Sequence, residues 1–206
     1  PVGGAPSHAM DAPLRSSRPT PGQLALAELL AAGKAALGSG IQTLPANLYT
    51  DPDRFRREQE RLFSRLPLLL GPSAMLPSPS EAIAHDEYGT PLIVSRDSDG
   101  QVHVMANVCR HRGTRLLEQE GVVRASRIVC PYHAWSYRSD GSLLAVPRGE
   151  TFPGMCKEDF GLSRFPAVES GGLIWFARDA AADFGPVEAL ADDMDAFGLS
   201  DLHLYK

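Results

Sequence analysis

Two apolar spacings divide the chain. Over residues 23–37 the run QLALAELLAAGKAAL has helical composition, with Leu24, Leu30 and Leu37 among many alanines. Gly38-Ser39-Gly40 is expected to end it, and such a helix would pack on the domain or on a sister subunit. A second helix is predicted over residues 52–66. Pro52 suits an early helical position, Asp51 is placed to cap it, and Phe55, Leu62, Phe63 and Leu66 form an apolar stripe. After a Pro-rich passage the period shortens. Alternating runs follow over residues 91–96, 101–108, 122–129, 134–138 and 143–146. Asp99-Gly100 and Asp140-Gly141 lie between runs as hairpin signals, and residues 173–177 read as a continuous apolar strand. The pattern predicts a mainly β, antiparallel domain preceded by helices.

This gives four regions. Residues 1–22 are rich in Pro, Gly, Ser and Ala and read as a flexible leader without the apolar core of a secretory signal. Residues 23–66 are the helical segment and 67–180 the β domain. Residues 181–206 are an acidic tail, with one short helix expected around 187–197. A chain of 206 residues holds one good-sized domain or two small ones. The net charge of −5 argues against nucleic acid or an anionic membrane surface as a partner. No apolar run approaches the roughly 18 residues a membrane-spanning helix needs. No internal repeat, phosphate-cradling glycine loop or dinucleotide fingerprint is present.

The chemistry is concentrated in two short segments, Cys109-Arg110-His111 and Cys130-Pro131-Tyr132-His133. Each supplies one thiolate and one imidazole. A Rieske-type centre needs this set, because two cysteines hold one iron of a [2Fe-2S] cluster and two histidines hold the other. A structural zinc site is the competing reading, since Cys2His2 is also a zinc composition. Zinc fingers usually group the two cysteines together and the two histidines together, whereas here they alternate. Gly113 allows a tight bend after the first segment, and Pro131 stiffens the second. Trp135 and Tyr137 alternate after His133 as on a strand, with Trp135 suited to core packing and to shielding the site. Arg110, Arg112 and Arg115 crowd the site and suit anchoring it, docking a partner, or a solvated charged face. The third cysteine, Cys156, reads as a small buried hydrophobe. With two cysteines committed, no disulfide framework is possible, which fits a reducing, cytoplasmic location.

These segments, with Gly113, Trp135, Tyr137 and Asp140-Gly141, resemble the Rieske segment of ring-hydroxylating oxygenase α subunits. Leu44-Pro45, Tyr49, Asp51-Pro52, Phe55, Glu58 and Phe63 resemble the entry segment of that family. Asn107-Val108 and the stretch from Gly171 to Phe176 fit it as well. The resemblance implies an antiparallel β-sandwich Rieske domain whose [2Fe-2S] cluster is ligated by Cys109, His111, Cys130 and His133. It also implies a reductase or ferredoxin as electron donor, and delivery of electrons to a mononuclear iron in a catalytic domain or neighbouring subunit, in a possible homotrimer.

Several positions depart from the family pattern. Ala134 stands where the family usually has glycine, a change that an unstrained backbone would tolerate. Eighteen residues separate His111 from Cys130, slightly more than is usual. The family's two-histidine, one-carboxylate iron site is not legible. Of the remaining histidines, His85 is expected in an acidic turn, His103 on a strand face, and His8 and His203 near the termini. No catalytic residue is assigned. The disulfide-bridged respiratory Rieske branch is disfavoured, because Thr114 and Tyr132 occupy the positions of its extra cysteines. The alternative function is a stand-alone, ferredoxin-like Rieske electron carrier.

Overall fold

A computed structural model of the chain describes residues 19–35, 40–195, 197–199 and 202. The leader up to residue 18, His8, His203 and the expected helix end at residues 36–39 lie outside the described residues. The first helix, α1 (Pro21–Ala31), begins with a reciprocal cap. The Thr20 hydroxyl accepts from the Gln23 N–H, and the Gln23 side chain accepts from the Thr20 N–H. It stops well before the expected Leu37. Gly33 takes φ +62°, and the N–H groups of Gly33 and Lys34 fold back onto the carbonyls of Leu30 and Leu29. That glycine closure ends the helix before the following alanines can extend it. α1 buries no residue within this chain, so it does not pack on the domain.

A short helix, α2 (Asn47–Thr50), precedes α3 (Pro52–Glu58). Asp51 caps α3 as predicted, accepting from the N–H groups of Asp53 and Arg54. The helix widens into a π-helical turn over Gln59–Phe63. Its apolar stripe of Phe55, Leu62, Phe63 and Leu66 is exposed rather than packed on the domain.

Among the described residues, eleven strands form three antiparallel sheets. The first holds β1 (Leu68–Pro72) and β10 (Ala167–Ser170) on either side of β11 (Leu173–Phe176). The second runs in the order β5 (Val123–Arg124), β2 (Glu81–His85), β3 (Leu92–Arg96), β4 (Val102–Ala106) and β9 (Arg164–Phe165). The third is β6 (Arg127–Val129), β7 (Ser136–Arg138) and β8 (Leu143–Ala145). Both predicted hairpin turns are present, joining β3 to β4 and β7 to β8. The single run expected over 122–129 is instead two strands in different sheets. Buried Ala125 donates its N–H to the Ser80 carbonyl and turns the chain between them. The tail carries two short helices, α4 (Gly185–Glu188) and α5 (Ala191–Asp195), rather than one.

The second sheet is the middle layer. On one face Leu92, Val94 and Val104 pack with Leu68, Leu70, Ile174 and Phe176 of the first sheet. On the other, Ala82, Ile93 and Met105 pack with Ile128, Tyr137 and Leu143 of the third sheet and with Cys109, Cys130 and Trp135. Leu92, Ile93 and Val94 are each 0% exposed, because β3 is buried on both faces and therefore reads as an unbroken apolar run. The Ser95 hydroxyl, also buried, donates to the Ser139 carbonyl at 2.6 Å and ties the second sheet to the third.

A paired charge joins the first sheet to the second. Arg96 grips Glu169 with two bonds of 2.7 and 2.8 Å and also donates to the Leu76 carbonyl. The Arg96 hydrogen bond, against the opposing effect of burial, holds the Glu169 carboxyl below its ordinary range. The folded state thus binds fewer protons here than the unfolded state. The stabilisation is full above the ordinary glutamate pKa of 4.5 and is lost as pH falls through the lower folded value. Glu169→Gln is expected to cost about 1–2 kcal/mol at neutral pH, discounted for partial exposure. It should cost less in acid. Denaturant unfolding at both pH values checks this, and an equal loss at both would contradict it.

Candidate metal centre

β4 and β6 each lead into one of the two Cys/His loops. Asn107, 0% exposed and just past β4, closes the base of the first. Its Oδ1 accepts from the N–H groups of Leu116 and Leu117, and its Nδ2 donates to the Leu117 carbonyl. The second loop bridges adjacent strands β6 and β7.

The loops share one backbone geometry. Cys109 N–H donates to the Thr114 carbonyl and Gly113 N–H to the Cys109 carbonyl, at 2.8 and 2.9 Å. Cys130 N–H donates to the Trp135 carbonyl and Ala134 N–H to the Cys130 carbonyl, at 2.8 and 3.0 Å. Gly113 and Ala134 therefore occupy equivalent positions, and both are left-handed, with φ +74° and +56°. The expectation of an unstrained backbone at Ala134 is thus corrected. An L-residue with a Cβ pays for that conformation, whereas glycine does not.

The four donors meet as two pairs. Cys109 and Cys130 are 2% and 3% exposed, and each is a free thiol. Cys130 is among the groups acting on the Cys109 thiol. The imidazoles of His111 and His133 lie edge to face with centroids 4.8 Å apart. The Nδ1 atoms of both are buried and have no hydrogen-bond partner. Trp135 stacks flat on His111 at 4.9 Å and is in turn packed edge-on by Phe152 and Phe160. It is both core residue and shield, as the sequence suggested. Tyr132 lies against His133 with ring centroids 3.7 Å apart.

Tyr137, 0% exposed, reaches from the second loop's exit strand to the first loop. Its oxygen accepts from the Arg110 N–H at 3.0 Å and lies 3.3 Å from Cys109 Sγ. With that acceptor role filled by an N–H, the phenol O–H is available to donate to sulfur. Burial pushes the Cys109 thiol up, against the opposing Tyr137 bond. Burial, with His133 and Arg112 nearby, pushes the His111 imidazole down. A lowered imidazole is neutral at physiological pH and keeps a lone pair for a metal.

Other sequence candidates stand outside this donor set. Arg110 and Arg112 are exposed, while Arg115 is tied to Asp86 and the Leu117 carbonyl. Cys156 is exposed rather than buried, and its thiol donates to Glu158 at 2.8 Å. His85 is not in a turn. It ends β2, buried, with Nε2 3.3 Å from the Leu70 carbonyl and its ring stacked on Tyr88. His103 is on a strand as expected, paired with Asp97 at 2.7 Å. Among the described residues no three His, Cys, Asp or Glu side chains converge as a single-ion site requires. No local sequence signal marks the role of Asn107, whose partners are nine and ten residues away.

Two structurally equivalent loops, each bringing one thiol and one imidazole to the edge of an antiparallel β domain, define a Rieske-type cluster domain. Comparisons with known proteins agree. A family profile described as "Rieske [2Fe-2S] domain" matches residues 68–163. Biphenyl 2,3-dioxygenase subunit alpha of Rhodococcus jostii (strain RHA1) is 36% identical over 140 residues, covering 68% of this chain and 30% of that protein. Anthranilate 1,2-dioxygenase large subunit of Acinetobacter baylyi is 30% identical over 160 residues, covering 74% of this chain and 32% of that protein. A crystal structure of naphthalene 1,2-dioxygenase from Rhodococcus sp. bound to indole superimposes with a TM-score of 0.66 at 27% identity, over 84% of this chain and 38% of that one. The quaternary ammonium Rieske monooxygenase CntA with L-carnitine gives 0.70 at 27% identity, over 80% and 47%.

Residues 68–163 are a Rieske [2Fe-2S] domain, and the chain belongs with the N-terminal Rieske region of ring-hydroxylating oxygenase α subunits. It spans about a third of the length of the curated relatives it matches. Those relatives are named as subunits and components of larger systems. Among the described residues no helix is long and apolar enough to cross a membrane. The family implies a Rieske-type [2Fe-2S] cluster, and the residues present fit one. Two buried thiols and two buried, unpartnered Nδ1 atoms are the donor set such a cluster takes.

Ala134→Gly is expected to raise stability by roughly 0.5–1 kcal/mol, the relieved left-handed strain less the added chain entropy. Thermal unfolding should show a Tm a few degrees higher, and a lower Tm would mean the methyl group packs favourably. Tyr137→Phe is expected to lower the reduction potential of the loaded protein, because a donor to sulfur favours the more negative, reduced state. The size should be on the order of 50 mV, from about 1–2 kcal/mol at 59 mV per tenfold. An unchanged potential in a redox titration would show that the phenol does not donate to Cys109.

Proposed function

We propose that Cys109 and Cys130 hold the inner iron of the cluster and His111 and His133 the outer iron through Nδ1. On this reading the chain is the electron-input part of a ring-hydroxylating oxygenase. It accepts electrons singly from a reductase or ferredoxin and passes them to a mononuclear iron in a region of the α subunit that this chain does not span. The bound cluster supplies a one-electron acceptor of modest potential. The chain's own residues supply the rest. Trp135, Phe152 and Phe160 exclude water from one face of His111. Tyr137 stabilises the Cys109 sulfur, and the half-buried imidazoles present the route by which a partner's electron enters.

The observation that carries this reading is the pair of buried Nδ1 atoms with no hydrogen-bond partner. Buried polar atoms without partners are costly, and a metal is the partner this donor set suits. Residues 67–180 are the cluster domain on this reading, with 23–66 as the entry segment and 181–206 leading onward. A cytoplasmic location fits the three free thiols, and assembly into a homotrimer follows from the resemblance.

Dithionite-reduced protein is expected to give a rhombic EPR signal of Rieske type, with two irons and two sulfides per chain. Replacing either His111 or His133 by alanine should abolish it. Zinc in place of iron, or a signal that survives both substitutions, would overturn the ligand assignment.

A further inference from the structure

Arg127 on β6 and Arg138 on β7 stand directly opposite one another in the ladder. Opposed residues of an antiparallel pair project from the same face, and like charges placed so cost stability. Both are exposed. Among the described residues neither forms an ion pair, and Arg138 reaches only the Ser142 hydroxyl, at 3.5 Å. Glu158 and Asp159 line the cleft beside Arg138 without bonding it, and Glu158 is already taken by the Cys156 thiol. β6 is an edge strand, and a lone charge there guards against edge-to-edge pairing. That accounts for Arg127. It does not account for a second arginine opposite it on β7, the interior strand.

The same face leads to the cluster loops. Val129, 40% exposed, follows Arg127 on the outward side of β6, and Tyr132, 59% exposed, lies beyond it against His133. Three residue steps lead from Arg127 to Cys130, about 10 Å at strand rise. The chain as a whole carries −5, so an acidic protein is repelled except where positive charge is concentrated.

We propose that this outer face of the third sheet docks an acidic one-electron donor protein. Its carboxylates are taken by Arg127 and Arg138, and its apolar contact by Val129 and Tyr132. The proposal rests on the electron-input reading above. One electron leaves the donor's reduced centre and enters the cluster, with no bond made or broken and no proton required.

The test uses loaded protein and an acidic plant-type [2Fe-2S] ferredoxin as probe. Binding is measured calorimetrically at low and high ionic strength, and reduction is followed by stopped flow. Arg127→Glu/Arg138→Glu is expected to weaken binding at least about tenfold at low salt, with the difference closing at high salt. The rate of reduction by dithionite should stay unchanged. Single Arg127→Gln and Arg138→Gln variants relieve the like-charge pair. They should fold at least as stably as the parent and show intermediate losses, so a misfolded double variant does not decide the matter. Unchanged affinity in these variants overturns the proposal. So does an equal loss in Arg57→Glu/Arg61→Glu, a change of the same net charge on the exposed face of the entry helix. Protein that carries no iron, sulfide or EPR signal overturns the electron-input reading instead, a result distinct from loaded protein whose ferredoxin binding ignores the arginines.

Discussion

The contact on which the site depends is the phenol of Tyr137 set between the two loops. The loops leave different sheets, one from β4 in the middle layer and one from β6 in the third. Only side chains that cross between them can fix their spacing. The bridged respiratory branch resembled at the ligands uses a disulfide for this. Here Thr114 and Tyr132 stand at those positions, and the three cysteines are free. Tyr137 binds both the backbone and the sulfur of the first loop. Trp135, from the second loop, lies flat on His111 of the first. The cross-link is thus a hydrogen bond and an aromatic stack, packed within the same core as Cys109 and Cys130.

That core exists because the middle sheet is buried on both faces. Ile93 and Met105 support the cluster side, while Leu92, Val94 and Val104 support the side facing β11. The two Cys/His loops are therefore braced from beneath by a layer that is itself clamped from behind. The Arg96–Glu169 pair and the Ser95–Ser139 bond sit at the two layer boundaries. Short strands alone would give marginal sheets. Stacked in three layers, they give the loops a packed core to stand on.

What was legible in the sequence follows from how local each signal is. Both loops could be found because a thiolate and an imidazole two or three residues apart carry their chemistry within one turn. The hairpins were legible through Asp99-Gly100 and Asp140-Gly141, which set their own turns. β1 was hidden because Gly71 and Pro72 disguise a strand whose register with β11 is irregular. β2 was hidden because Glu81 and His85, both buried, read as polar. The early stop of α1 depends on a single left-handed glycine, while the residues after it retain helical composition. Asn107 fell at the end of an alternating run and within the family resemblance, but its closing role was not legible, since its bonds are made at Leu116 and Leu117. The strain at Ala134 was invisible for a similar reason. Only the repeated pair of backbone bonds shows that it occupies the same position as Gly113.

The placement of the donors has an electrostatic logic of its own. Thiolates are charged when they ligate, and burial opposes that charge, as the raised Cys109 thiol shows. A deeply placed thiolate is therefore favoured by a nearby cation and by a donor aimed at sulfur, and Tyr137 is placed to be that donor. Imidazoles ligate when neutral, and burial favours the neutral form, as the lowered His111 shows. They can sit at the rim and still be ready for metal at physiological pH. The opposite arrangement would expose sulfur to oxidation and bury groups that gain nothing from a phenol donor. Cysteines inward and histidines outward is thus the order in which each donor type meets the surroundings that its ligating form requires.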